Sequence, residues 1–161
     1  MSSKQSSTSG KSKELKIITK HVITIDDIKN DPRKIKLLYM INILGGISEK
    51  ALQHLIYYMK EKDYDLGYNF IMLGTTPSSK DLHNDLVALL YVGLLETDPR
   101  RKLVVTSMGR EFLQNNENAI SDEEKEKIKN LIDELRIKIA PIDTEVELAS
   151  RTRRARRRRL F

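Results

Sequence analysis

The sequence predicts an α+β chain that is mainly α-helical, with a single small β-hairpin. Three observations predict it. Apolar residues recur three and four apart in five stretches, each opened by a Ser, Thr or Asp able to cap a helix. One pair of short apolar runs, Leu94-Leu95-Glu96 and Leu103-Val104-Val105, flanks a turn at Asp98-Pro99-Arg100 in the manner of a hairpin. The length of 161 residues, 39% of them hydrophobic, supports one buried core and would crowd two.

The elements follow in order. Residues 1–13 are Ser/Lys-rich and almost without bulky apolar side chains, so they cannot offset the entropy of ordering and read as a disordered tail. Residues 14–30 form an N-terminal arm in which β-branched Ile17, Ile18, Val22 and Ile23 suggest a short strand. Asp31 can cap a first helix that starts at Pro32, carries Ile35, Leu38, Ile41 and Leu44, and stops at Gly45-Gly46. Ser48 caps a second, striped by Leu52, Leu55, Ile56 and Met59. Residues 63–76 read as strand or extended loop. Thr76-Pro77-Ser78-Ser79-Lys80-Asp81 then opens a third helix through a Ser-x-x-Asp capping box, with Leu82, Leu86, Leu89 and Leu90 as its stripe. The hairpin follows, and Thr106 caps a fourth helix that Gly109 weakens by about 1 kcal/mol relative to Ala. Ser121-Asp122-Glu123-Glu124 opens a fifth, over 120–140, and Pro141 ends it. Its apolar positions Ile128, Ile132, Leu135 and Ile139 fit two readings: a face packed on the chain's own core, or the short seam of a homodimer. Residues 141–161 are expected to form a flexible tail.

Charge divides the chain unevenly. Residues 151–161 hold seven Arg and no acid, and residues 1–20 hold five Lys against Glu14, so a net charge of +6 leaves −5 for residues 21–150. Attraction for phosphate therefore comes mainly from the ends. Zero cysteines exclude disulfides, thiolate metal sites and a cysteine nucleophile. No long apolar run marks a membrane span or a secretory signal, so the expected location is the cytoplasm or nucleoid. His21, His54 and His83 lack ligand spacing, and no Gly-rich phosphate loop follows a strand. The expectation is a non-enzymatic protein without cofactor or metal.

The order helix, helix, helix, hairpin, helix over 31–115 matches the winged helix-turn-helix layout, in which the third helix can enter a groove and the hairpin can touch backbone. Gly74-Thr75-Thr76-Pro77-Ser78-Ser79, Val92-Gly93-Leu94-Leu95-Glu96 and Leu103-Val104-Val105-Thr106-Ser107-Met108-Gly109 resemble winged-helix regulators. In that group a Gly-Leu-Leu exit leads into the wing and a Thr-x-x-Gly return opens the last helix. A looser similarity, through Tyr68-Asn69-Phe70, is to phage-associated regulators of the YwgA type. The resemblance spans roughly residues 32–115 and implies DNA binding. The long segment from Lys60 to Thr76 departs from a tight helix-turn-helix and can displace the third helix from a groove.

Candidate contacts fall in three groups. On the third helix Ser78, Ser79, Lys80, His83 and Asn84 can reach phosphates or base edges, although Asp81 and Asp85 lie among them. At the wing tip Arg100, Arg101 and Lys102 suit backbone contact. In the tail Arg151, Arg153, Arg154, Arg156, Arg157, Arg158 and Arg159 repel one another and gain by meeting a polyanion. Neutralising five phosphates would give a log–log salt slope of about −4.5 on duplex DNA. The leading expectation is a DNA-binding regulator or chromatin-associated factor, with DNA favoured over RNA. The alternative is a protein-interaction module whose acidic body docks a partner while the arginines tether it to RNA or DNA, as a ribosome-associated protein would.

Overall fold

The computed structural model describes residues 22–160, the side chains of Arg159 and Leu160 excepted. The expected disordered tail over 1–13, and the expected arm as far as residue 21, lie outside the described residues. The short strand expected from Ile17, Ile18, Val22 and Ile23 thus falls mostly outside the described residues, and residues 22–24 carry no strand. Ile25–Lys29 is a short helix, α1, opened by a reciprocal capping box: the Asp27 N–H donates to Thr24 Oγ1 at 3.3 Å and the Thr24 N–H to Asp27 Oδ2 at 2.8 Å. The pair satisfies two amides that a lone strand would leave to water, and Ile28 anchors the turn in the core at 0% exposure.

α2 spans Pro32–Leu44, capped by Asp31, whose Oδ1 accepts from the N–H groups of Arg33 and Lys34. It ends at Gly45, whose φ of 75° is the left-handed conformation that closes a helix. Ile35, Leu37, Leu38, Met40 and Ile41 are all buried, more than one stripe allows, so α2 is the central helix with neighbours on several sides. A two-residue strand, β1 (Ile47–Ser48), leads directly into α3 (Glu49–Glu61), and Ser48 Oγ caps it by accepting from the Ala51 N–H.

The third predicted helix starts later than expected. Ile71–Leu73 (β2) and Thr76–Ser78 (β3) form an antiparallel ribbon, and α4 begins only at Lys80, with Ser79 as its cap. Thr76-Pro77-Ser78 therefore reads as strand and not as a helix start, because the turn at Gly74 (φ 67°) brings Thr76 and Ser78 back against Leu73 and Ile71. α4 ends at Tyr91. The expected hairpin is β4 (Leu95–Thr97) and β5 (Lys102–Val105), and β1 adds to its outer side, giving the antiparallel order β1-β5-β4. The register Ile47↔Leu103 and Ser48↔Lys102 joins the start of α3 to the hairpin. α5 (Ser107–Asn115), capped by Thr106, and a 3-10 turn (Glu117–Ala119) lead to the last helix.

That helix, α6, runs Asp122–Leu160 without a break and overturns the expected stop at Pro141 and flexible tail over 141–161. Pro141 lies on the exposed side of the helix, where the carbonyl it leaves unbonded can meet water. Contacts beyond it hold the next two turns to the body. Ile128, Ile132, Leu135 and Ile139 are at most 4% exposed, packed within the chain's own core along α3. These four therefore do not form a free homodimer seam; the packed-face reading holds. Among the described residues no helix is long and apolar enough to cross a membrane.

Candidate nucleic-acid interface

The start of α4 is built from α3. Gln53 Oε1 accepts the Ser79 N–H at 2.8 Å, Ser79 Oγ caps the helix through the Leu82 N–H, and Ser79 is 1% exposed. Ser79 is thus a buried structural cap and cannot contact a ligand. Gln53 Nε2 donates in turn to Glu49 Oε2 at 3.1 Å, and His83 Nδ1 lies 2.8 Å from the same oxygen. The expected contacts Lys80 and Asn84 are exposed, Ser78 is half-buried, and His83 is exposed but already engaged. With Glu49 and Asp81 flanking this helix start, its electrostatics disfavour a phosphate. Further along, the outward face is apolar: Val87 is 47% and Tyr91 65% exposed.

Asp85, expected on that outer face, is instead 4% exposed and turned inward. Its carboxylate accepts from Tyr68 Oη at 2.7 Å and Arg33 Nε at 2.9 Å, with Lys34 Nζ at 3.3 Å, and the Arg33 guanidinium stacks 4.4 Å over the Tyr68 ring. Burial, then the hydrogen bond to Asp85, push the Tyr68 phenol far above an ordinary tyrosine, so it stays a donor. Burial alone would lower the Arg33 pKa, but the hydrogen bond and charge of Asp85 leave it raised. This cluster locks α4 to α2. Its only sequence signal is an Asp three residues after Leu82 and one before Leu86, on the stripe itself.

In the β4–β5 hairpin, Asp98 organises the turn. Its Oδ1 accepts the backbone N–H groups of Arg100 and Lys102, each at 2.9 Å, and its N–H donates to the Lys102 carbonyl at 2.9 Å. Arg100 and Arg101 project outward, both exposed. Arg101 takes φ 66°, a left-handed conformation that costs a non-glycine residue about 1 kcal/mol. Lys102 behaves differently: its Nζ is 3.1 Å from Asp143 Oδ2 and 3.5 Å from Glu147 Oε1, and the hydrogen bond to Asp143 raises its pKa against a smaller opposing effect of burial.

Those two carboxylates are the connection that sequence reasoning missed, because it placed them in a tail. Asp143 Oδ1 also accepts the Ser48 N–H at 2.7 Å, and Glu145 pairs with Lys50 at 3.3 Å. Glu147 reaches Arg151 at 2.6 Å. α6 is therefore strapped across the wing base and the start of α3, and Ser150 is its last buried residue. Arg151, Arg153, Arg154, Arg156, Arg157 and Arg158 lie on the exposed end of the same helix, which also carries Arg159. Glu147 thus links Lys102 at the base of the hairpin to Arg151, the first of the arginines, while the start of α4 keeps its own acidic neighbours. Among the described residues no group of His, Cys, Asp and Glu could hold a metal ion. The chain matches no family model, no curated protein and no solved structure.

Proposed function

We propose that this is a non-enzymatic nucleic-acid-binding protein of winged-helix type, of the kind that regulates transcription or dresses the chromosome, with duplex DNA as its ligand. One observation carries the reading: the arginine segment is a solvent-exposed helical extension of α6, strapped through Glu147 and Asp143 beside a wing that presents Arg100 and Arg101. Seven guanidiniums crowded on one short helix repel one another unless phosphates neutralise them. Support for the winged-helix assignment comes from the order α2-β1-α3-β2-β3-α4-β4-β5, in which the β2-β3 ribbon is an insertion, and from the sheet order β1-β5-β4, with β1 beside the returning hairpin strand. Arg101 adds weight, since glycine would fit its backbone at lower cost and the side chain there has a use.

The test is a binding titration of the full chain and of a chain ending at Ser150 against duplex DNA across a salt series. The full chain is expected to bind with a log–log slope of about −4 or steeper, and removal of the arginines is expected to flatten that slope by several units. A full chain that ignores duplex DNA at physiological salt would sink the proposal.

A second reading keeps the tether but makes the body a docking module. Ile71, Met72 and Leu73 are 66%, 50% and 60% exposed, in a segment with no charged residue from Gly67 to Ser79. Such a ribbon suits an apolar partner better than phosphate. Under this reading the chain ending at Ser150 loses nearly all nucleic-acid affinity; if it still binds duplex DNA tightly, the docking reading fails.

A further inference from the structure

We infer that the arginine-bearing end of α6, rather than α4, is the element that enters the nucleic acid, and that its receptor is the major groove of a B-form DNA duplex. The inference rests on the nucleic-acid reading above and deepens it.

The first step is shape. Among the described residues Ser150 is the last of α6 buried against the body, and residues 151–158 are all exposed. At 1.5 Å per residue they form a rod about 12 Å long and about 10–12 Å across. The major groove of B-DNA is about 12 Å wide and accepts a helix, whereas that of A-form RNA is deep, narrow and closed to side chains.

The second step is the distribution of charge round the rod. At 100° per residue the six arginines from Arg151 to Arg158 spread over about 220° of the circumference, with Arg156 and Arg151 at the two limits. Thr152 and Ala155 lie in the remaining gap, into which the position of Arg159 also falls, so the seven positions run nearly round the rod. A flat anionic surface, such as a lipid headgroup layer, meets one side of a rod and leaves the outlying guanidiniums without a phosphate. A groove presents phosphates on both walls and base edges on its floor, so it can satisfy the whole arc. Guanine, with O6 and N7 in the major groove, is the base a guanidinium binds in bidentate fashion.

The third step is aim. Glu147 holds Arg151 at 2.6 Å and Lys102 at 3.5 Å, and Asp143 holds Lys102 at 3.1 Å, so the rod leaves the body at a set angle to the wing. Arg100 and Arg101 are then placed to meet the sugar–phosphate backbone beside the groove. Glu147 acts as a positioning residue. α4 is the weaker candidate because its start is capped by buried Ser79 and flanked by Glu49 and Asp81.

Ala155→Pro tests this without changing any charge, because a proline there interrupts the helix beyond the last buried residue. Ala155→Leu, which keeps the helix and every charge, is the control. Anisotropy titrations of the full-length wild type and both variants would use a GC-containing DNA duplex, the RNA duplex of the same sequence and phosphatidylserine vesicles at physiological salt. Methylation protection of guanine N7 would be run on the DNA. We expect DNA to be preferred over RNA and vesicles by about tenfold or more, Ala155→Pro to weaken DNA binding by about tenfold, and Ala155→Leu to stay within about twofold. Guanine N7 is expected to be protected by the wild type and not by Ala155→Pro. Equal DNA binding by wild type and Ala155→Pro, or N7 left unprotected, would overturn the groove inference while leaving the nucleic-acid reading intact. Binding to vesicles alone, or to nothing, would overturn both.

Discussion

Asp85 sits on the buried stripe of α4, one residue before Leu86, and a carboxylate is tolerated there because Tyr68, Arg33 and Lys34 surround it. Removing it strands Arg33 and a phenol hydroxyl, whereas Lys34 keeps Asp31 at 2.6 Å. Asp85→Ala is therefore expected to destabilise the chain by about 2–3 kcal/mol in urea unfolding, less than a closed site would lose, because the Arg33 side chain keeps 33% of its surface in water. An unchanged unfolding midpoint would show that the cluster contributes no net stability. Gly109 makes the complementary point. Judged by helix propensity, Gly109→Ala should stabilise α5 by about 1 kcal/mol. A Cβ there would lie 2.3 Å from the Leu94 carbonyl oxygen and 2.7 Å from Val105 Cγ1, so the helix must move off the wing strands. The expected outcome is a net loss of about 2 kcal/mol, read as a lower urea midpoint. Both residues look ordinary in sequence, an exposed acid and a weak helix position, since what decides them arrives from residues distant along the chain.

At the scale of elements, local chemistry sets most boundaries. The side-chain oxygens of Asp31, Ser48, Thr106 and Ser121 each accept a backbone N–H at the start of a helix, as their positions before apolar stripes predict. Ser79 and Pro141 are the places where local signals mislead. At Ser79 the preceding residues are drawn into a ribbon with β2, and at Pro141 a helix that local preference would end is carried onward by Asp143, Glu145 and Glu147. The strap is thus what extends α6. Asp143→Ala removes the acceptor for the Ser48 N–H and the nearer partner of Lys102. It is expected to cost about 1–2 kcal/mol and to speed amide exchange from residue 142 onward. Exchange of α6 residues before Pro141, held by Ile128, Ile132 and Leu135, should not change. If the two halves respond alike, the carboxylates are not what holds the distal part.

For the whole molecule, titrating groups on different elements bound the pH range of stability. Burial, and then the charge of Lys50, lower the His54 pKa, so the unfolded chain takes up a proton first and stability falls as pH drops below the ordinary value of 6.5. Burial would raise Asp31 and Glu124, but hydrogen bonds from Lys34 to the first and from Lys36 and Tyr64 to the second leave both lowered, so a further loss follows below about pH 4.5. Burial, and then their carboxylate partners, raise Tyr64 and Tyr68, which contribute stability up to the ordinary value of 10.0 and lose it above. Melting temperature against pH is expected to show a plateau between these limits, and His54→Gln should remove the first acid step; a step that persists in the variant would assign it elsewhere. The sequence by itself determined most helix starts, which apolar stripes are buried, where the hairpin turns and where positive charge gathers, because caps, periodicity and composition act within a few neighbouring residues. Only the tertiary structure decided that Asp85 and Ser79 face inward, that Lys102 is held by carboxylates and that the last helix continues beyond its proline to carry the arginines, because each depends on partners that distant parts of the chain supply only once the core has formed.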